Sequence, residues 1–293
     1  MPPPSLEQVR AAIGLELPSL HYSYSQRDAI LYALGVGAPA DALDTTELRY
    51  VYELHPEFQV LPTFAVLFSK GLIRQLMTGR IAGIHYEPML LLHGEQELVL
   101  HRRLPPSATV TSRLRIAEIH DKGSGALIIF SVQSATEAGE KLASARIAVF
   151  IRGIGGFGGE RGAAVKLPPP ARQRDIIHEE ATLPTQALLY RLTGDANPLH
   201  ADPAMAARGG YPAPILHGLC TFGFTARAII KRCCGSEASR LRSIRARFSQ
   251  PVFPGESLIT EMWSLPGGEI RFQTRSKDRA AIVLSHGQAR LAG

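Results

Sequence analysis

A chain of 293 residues, 45% hydrophobic and 20% charged, is long enough for one large domain or two medium ones around a sizeable core, and this balance excludes extended disorder. A net charge of +6 fits either plain solubility or an anionic partner such as nucleic acid, a membrane surface or a phosphate-bearing small molecule. The three cysteines, Cys220, Cys233 and Cys234, form no disulfide framework and no zinc spacing, and no apolar run approaches the ~20 residues of a membrane span.

The first helix is predicted over Tyr22–Leu34, with Ser25 as N-cap and Ile30, Leu31 and Leu34 at helical spacing; Gly35-Val-Gly37-Ala-Pro39 ends it. Leu48–Leu54 reads as a strand or short helix, and the apolar segment Leu61–Met77 as a helix. Four strands follow, Leu98–His101, Ala108–Ile119, Ala126–Ala135 and Lys141–Arg152, separated by turn clusters as in an antiparallel meander. Gly153-Ile-Gly-Gly-Phe-Gly158 matches the dinucleotide pattern G-x-G-x-x-G. That motif needs a helix opening on its last glycine, whereas Leu167-Pro-Pro-Pro170 follows, so the stretch is read as a linker. Helices are then predicted at Leu183–Leu192 and Leu219–Cys234, and strands at Ile244–Phe248, Ser257–Ser264, Glu269–Ser276 and Ala280–Leu291.

The plan repeats. Ala29-Ile-Leu-Tyr-Ala-Leu-Gly-Val-Gly-Ala-Pro39 parallels Ala187-Leu-Leu-Tyr-Arg-Leu-Thr-Gly-Asp-Ala-Asn-Pro198, and Leu92-His-Gly94 parallels Leu216-His-Gly218. Two fused copies of one α+β unit explain the length: residues 1–154, a linker over 155–172, and residues 173–293. The copies differ chemically. Where the second carries Asp195 and His200, the first has only glycine, alanine and proline.

Asp195, Asn197 and His200 lie within six positions on a loop punctuated by Gly194 and Pro198. A carboxylate and an imidazole aimed at one water make a general acid–base pair; singly, these residues would be read as turn formers and a packing histidine. Asp202 and His217 are the nearest additional metal ligands, but no zinc pattern fits, and no G-x-S-x-G elbow marks a serine hydrolase. His217-Gly218 precedes a helix whose first N–H groups suit an oxyanion; close packing is the equally weighted alternative. Arg240, Arg242, Arg245 and Arg247 form either a solvated face or a phosphate contact. Nucleic-acid binding ranks low without interleaved aromatics or a recognised module.

The run Tyr190-Arg-Leu-Thr-Gly-Asp-Ala-Asn-Pro-Leu-His200 resembles the signature of the type-2 enoyl-CoA hydratases, within the MaoC-like hydratase/dehydratase superfamily. The likeness extends to the hydratase domain of peroxisomal multifunctional enzyme type 2. It covers nearly the whole chain, including His55–Phe64, Leu92-His-Gly-Glu-Gln96, Asp121-Lys-Gly-Ser-Gly125, Gly155–Gly159 and Pro214–Phe224. The resemblance implies a double hot-dog fold and reversible hydration of trans-2-enoyl-CoA to (3R)-3-hydroxyacyl-CoA, with no metal or redox cofactor. It implies that Asp195 and His200 activate water, that Asn197 holds the site and that Gly218 supplies the oxyanion N–H. His93, Gly94, Lys122 and Phe248 fall on the family's coenzyme A contacts. Ala196 stands where relatives carry a bulky aromatic. The first half, lacking the acid–base pair, is expected to take the acyl chain. A homodimer working beside a separate (3R)-hydroxyacyl-CoA dehydrogenase is expected, with neither nucleic acid nor membrane as partner. No signal peptide or Ser-Lys-Leu ending is seen, which weighs against a peroxisomal address, and the Ala/Arg/Pro-rich composition leads to the expectation of a bacterial cytoplasm. The alternatives are a hot-dog acyl-CoA thioesterase and a dehydratase acting on carrier-protein substrates.

Overall fold

The computed structural model describes residues 3–163 and 165–292. In the first half, the Ser5-capped helix α1 (Leu6–Ala12) leads into strand β1 (Glu16–Tyr24) and helix α2 (Gln26–Gly35). The α2 start is the one expected: Ser25 and Asp28 form a capping box. Tyr22–Tyr24, however, belong to β1 rather than to the helix. Leu48–Leu54 contributes only the end of a single turn, α3 (Thr45–Leu48), and then irregular chain. The apolar segment after Leu61 begins as a 3-10 helix, Pro62–Ser69, and continues as α4 (Lys70–Leu76). All eight residues of Pro62–Ser69 are buried, so this segment is the core element of its half. The short hairpin of β2 (Arg80–Ile81) and β3 (Ile84–His85) precedes β4 (Leu91–Leu100), β5 (Ala108–Asp121), β6 (Gly125–Thr136) and β7 (Lys141–Arg152).

The second half runs β8 (Ile176–Ala181), α5 (Gln186–Tyr190), α6 (Pro203–Arg208), α7 (Gly218–Cys233), β9 (Leu241–Phe248), β10 (Ser257–Leu265), β11 (Glu269–Ser276) and β12 (Ile282–Leu291). Helix α7 is buried along most of its length, from Cys220 to Ile230, and packs against β8, β9 and β10. An element apolar nearly all round has to lie inside a sheet that curls about it.

Ten strands form one antiparallel sheet in the order β1-β5-β6-β7-β4-β9-β12-β11-β10-β8. The order is a palindrome: each half is a five-stranded sheet wrapped around its own helix, and the halves join where β4 pairs with β9. This is a double hot-dog. The glycine-rich stretch after β7 holds no nucleotide-type helix. It folds around Asp121, whose carboxylate accepts the N–H groups of Gly123, Gly156 and Gly158, each at 2.8 Å.

A buried ion cluster ties the halves together. Arg227 of α7, with its side chain sealed from solvent, donates to both carboxylate oxygens of Glu47 (3.0 and 3.2 Å), to Glu180 of β8 and to the Val36 carbonyl at 3.2 Å. Lys231, one turn on, reaches Asp44 at 2.7 Å. Removing one partner of a buried pair leaves the other charge desolvated and alone. Arg227→Ala is therefore expected to cost about 3–5 kcal/mol in urea unfolding, and the double variant R227M/E47L to recover part of that loss.

Candidate active site

The loop after α5 is shaped by its backbone. Gly194 adopts φ +124°, and a Cβ on it would lie 2.7 Å from the Lys70 ammonium, so glycine is required there. The Asp195 carboxylate accepts the Asn197 N–H at 3.2 Å, and the Asn197 side chain accepts the Leu199 N–H at 3.0 Å. These two consecutive side-chain turns deliver Pro198–His200 as a single 3-10 turn that points His200 inward. His200 Nδ1 donates to the Ile215 carbonyl at 2.8 Å. A carbonyl only accepts, so Nδ1 carries the hydrogen and Nε2 keeps a lone pair. His217 Nε2 donates to the Asp195 carbonyl at 3.1 Å. The two imidazoles stack with centroids 3.6 Å apart and planes 28° off parallel. Polar atoms of Asp195, His200 and His217 all lie within 4.8 Å of one another.

Burial sets the charge state. Desolvation holds His200 below the ordinary histidine value, opposed in part by the Asp195 carboxylate. It lowers His217 to about 2, with neighbouring His200 adding to the effect, and lowers His93 to about 4. All three rings are neutral near pH 7. One carboxylate and two imidazoles are also a zinc-type donor set, but the stack argues against that use. An ion about 2.1 Å from both nitrogens must lie near both ring planes, and here the planes are stacked face to face.

Gly218 opens α7 directly after His217, so its N–H has no acceptor within the helix. A Cβ on Gly218 would stand 3.0 Å from the Phe248 ring, and that ring packs 4.7 Å from the His93 ring. A register shift between His93 and Glu95 marks a β-bulge at Gly94, which turns His93 toward the site. Among the described residues, His93 Nε2, His217 Nδ1 and the Tyr190 hydroxyl are buried without a hydrogen-bond partner.

Two cavities meet this cluster. One, about 330 Å³, is walled by Leu67, Leu72, Ile73 and Met77 of the first half and reaches His93, Asp195 and Asn197. The other, about 520 Å³, is bordered by charged side chains on a largely apolar wall and includes Gly94, Lys122, Arg245, Arg247 and Phe248. Gln96 lines both.

The structure thus gathers Asp195, Asn197, His200 and His93 at one spot, seats Phe248 over Gly218, and places Gly94 and Lys122 on the charge-bordered side. Lys122 is tethered there: its ammonium donates to the Arg161 carbonyl. Arg245 and Arg247 share the single Glu95 carboxylate, at 3.4 and 2.6 Å, so this part of the arginine-rich run keeps one net positive charge. Asp202 has no part in the cluster; it caps α6 by accepting the Ala204 N–H at 2.8 Å. His217 enters as the face on which His200 rests. In sequence it is visible as a possible additional metal ligand and as the residue before a helix-opening glycine, but not as the partner of His200.

The buried imidazoles make stability depend on pH. His93 and His217 are neutral in the folded state, whereas their unfolded forms protonate below roughly pH 6.5. Their contribution is complete above that value and is lost as pH falls, by about 1.4 kcal/mol per pH unit for each ring. Urea midpoints are expected to drop between pH 7.5 and pH 5, with His93→Gln flattening the slope; equal slopes in the two proteins would contradict this.

Comparison with known proteins fits this geometry. Residues 22–153 match the family model of the MFE-2 hydratase 2 N-terminal domain, and residues 165–286 that of the MaoC like domain. Peroxisomal enoyl-CoA hydratase 2 of Arabidopsis thaliana is 44% identical over 286 residues, spanning 92% of this chain and 91% of that protein. Peroxisomal multifunctional enzyme type 2 of Mus musculus is 42% identical over 283 residues, spanning 94% of this chain and 37% of the larger enzyme. The crystal structure of a MaoC-like dehydratase from Phytophthora capsici superposes with a TM-score of 0.88 at 33% identity, covering 97% of each chain. The chain belongs to the MaoC-like family, in the branch that joins an MFE-2 hydratase 2 N-terminal domain to a MaoC-like domain.

Proposed function

We propose that this protein reversibly hydrates trans-2-enoyl-CoA to (3R)-3-hydroxyacyl-CoA in fatty-acid metabolism, using a water held between Asp195 and His200. The observation that carries the reading is the convergence of a carboxylate and a neutral, backbone-anchored imidazole between an apolar cavity and a helix N-terminus. His200 Nε2 takes a proton from water as the oxygen bonds to C3. The C2–C3 π electrons move into the thioester, and the enolate oxygen meets the Gly218 N–H at the positive end of α7. C2 then receives the proton that His200 holds, directly where Asp195 only orients the water or through Asp195 where it relays the proton, and the imidazole returns to its neutral form. Coenzyme A enters as part of the substrate, and these steps require neither a metal nor a redox cofactor.

The division of labour follows the repeat. Residues 173–293 carry the chemistry, residues 155–172 link the units, and residues 1–154 house the acyl chain in the cavity walled by Leu67, Leu72, Ile73 and Met77. The charge-bordered cavity takes the coenzyme, with Gly94 and Phe248 along the pantetheine arm and Lys122, Arg245 and Arg247 near its phosphates. Three free thiols suit a reducing cytoplasm. The product is a secondary alcohol, so a (3R)-hydroxyacyl-CoA dehydrogenase is the natural next enzyme, and a homodimer is the assembly that accompanies this reading.

Asp195→Asn and His200→Gln are each expected to lower the hydration rate of decenoyl-CoA by roughly 10²–10⁴-fold with little change in the urea unfolding curve. Full activity in either folded variant, or release of free coenzyme A without a 3-hydroxyacyl product, would defeat the reading. Met77→Trp fills part of the apolar cavity. In a chain-length series it is expected to depress turnover of decenoyl-CoA while sparing crotonyl-CoA.

A further inference from the structure

The palindromic sheet gives each element of one half a counterpart in the other. Matching hydrogen bonds fix the correspondence: His101 N–H to the Leu142 carbonyl in the first half, and Ser249 N–H to the Val283 carbonyl in the second, both 2.9 Å. Counting back one residue equates Leu100 with Phe248. Seven residues further back along the same strands, Leu241-Arg242 answers to His93-Gly94, so Leu92-His-Gly94 in β4 and Leu216-His-Gly218 at the start of α7 are alike in sequence without being equivalent in the fold. Pro62, first residue of its 3-10 helix, stands where Gly218 opens α7.

A separate cavity of about 370 Å³ opens at this mirrored position, bordered by Pro62, Leu100, Leu241 and Arg242. It is the counterpart of the mouth formed by Gly218, Phe248 and His93-Gly94. Two substitutions remove the chemistry. Proline has no N–H to offer an oxyanion. The loop at Gly37-Ala38-Pro39 brings neither acid nor base, and Gly37 lies so close under Phe224 that a Cβ would meet the ring at 2.4 Å.

What survives is a binding surface. Leu100, Leu142 and Leu241 give an apolar floor, and Arg102, Arg103 and Arg242 give a cationic rim. Arg102 pairs with Glu140 at 2.5 Å and Arg103 with Glu237 at 2.8 Å. Both arginines are well exposed, and exposed pairs are worth about 0–1 kcal/mol, so an incoming anion displaces them at small cost. Arg242 is exposed and makes no ion pair among the described residues. The volume lies in the range of about 300–1,000 Å³ that suits small ligands.

We infer that this cavity is a second, non-catalytic ligand site for an anionic amphiphile. A medium-length acyl chain lies on the leucine floor, and a carboxylate or phosphate head sits among Arg102, Arg103 and Arg242. The inference concerns a different cavity from the acid–base cluster and does not depend on what that cluster catalyses.

Calorimetric titration with decanoyl-CoA and, separately, with decanoate tests it. The proteins are the wild type and R102E/R242E, whose changes lie on the exposed rim away from Asp195 and His200. The wild type is expected to show a binding event for at least one probe that R102E/R242E weakens roughly tenfold or more, with kcat/KM for enoyl-CoA hydration unchanged. Loss of the event with decanoate identifies a carboxylate head; loss with decanoyl-CoA alone identifies the coenzyme phosphates. Identical titrations of both proteins with both probes would overturn the inference. A protein without hydratase activity that still shows the rim-dependent event would contradict the proposed function and leave this site standing.

Discussion

The pairing of β4 with β9 is the contact on which the rest of the molecule depends. It joins two five-stranded sheets into one and aligns Glu95 with Arg247 and Glu97 with Arg245 across the seam. Without it, His93 would sit in one half and Gly218 with Phe248 in the other. The bulge at Gly94 breaks the regular ladder just beyond the paired stretch and aims His93 at the Phe248 ring. A bulge is tolerated because the flanking pairs from Glu95 to Val99 hold the register on one side and β7 holds β4 on the other.

Around that seam the halves have diverged by small backbone changes. Both place a helix start against the seam, but α7 begins with Gly218 and its counterpart with Pro62. Glycine leaves a free N–H and room for Phe248 to close over it. Proline removes the donor and starts a 3-10 segment that ends in the short α4. The first half thereby gives up a long helix and contributes the side chains of Leu67, Ile73 and Met77 to a cavity that runs toward Asp195. On the proposed function, loss of chemistry in one repeat and gain of space for a substrate chain follow from the same local change.

Much of this was legible in the residues. The duplicated plan, the core helix α7 and most inner strands follow from spacing and turn chemistry, because buried helices and inner strands carry strong apolar patterns; the expected four-strand meander is instead the three strands β5-β6-β7, with β4 crossing over to pair with β7 and β9. The edge strands β1 and β8 carry no comparable pattern. Each lies at an end of the sheet and buries little of either face, so Glu16–Tyr24 and Ile176–Ala181 show only weak alternation. At the site, Asp195, Asn197 and His200 announced themselves by proximity along the chain. The stacking of His217 on His200, the sealed Arg227–Glu47 pair and the tether of Lys122 to Arg161 depend on contacts between distant segments. No local pattern encodes them.

The central claim is that the Asp195–His200 cluster adds water across an enoyl thioester from one face. Chiral analysis of the product formed from trans-2-decenoyl-CoA tests it most directly. The account predicts the (3R)-3-hydroxyacyl-CoA as the sole hydration product, formed by the wild type and lost in Asp195→Asn. A (3S) product, a racemate, or an unchanged yield from Asp195→Asn would contradict it.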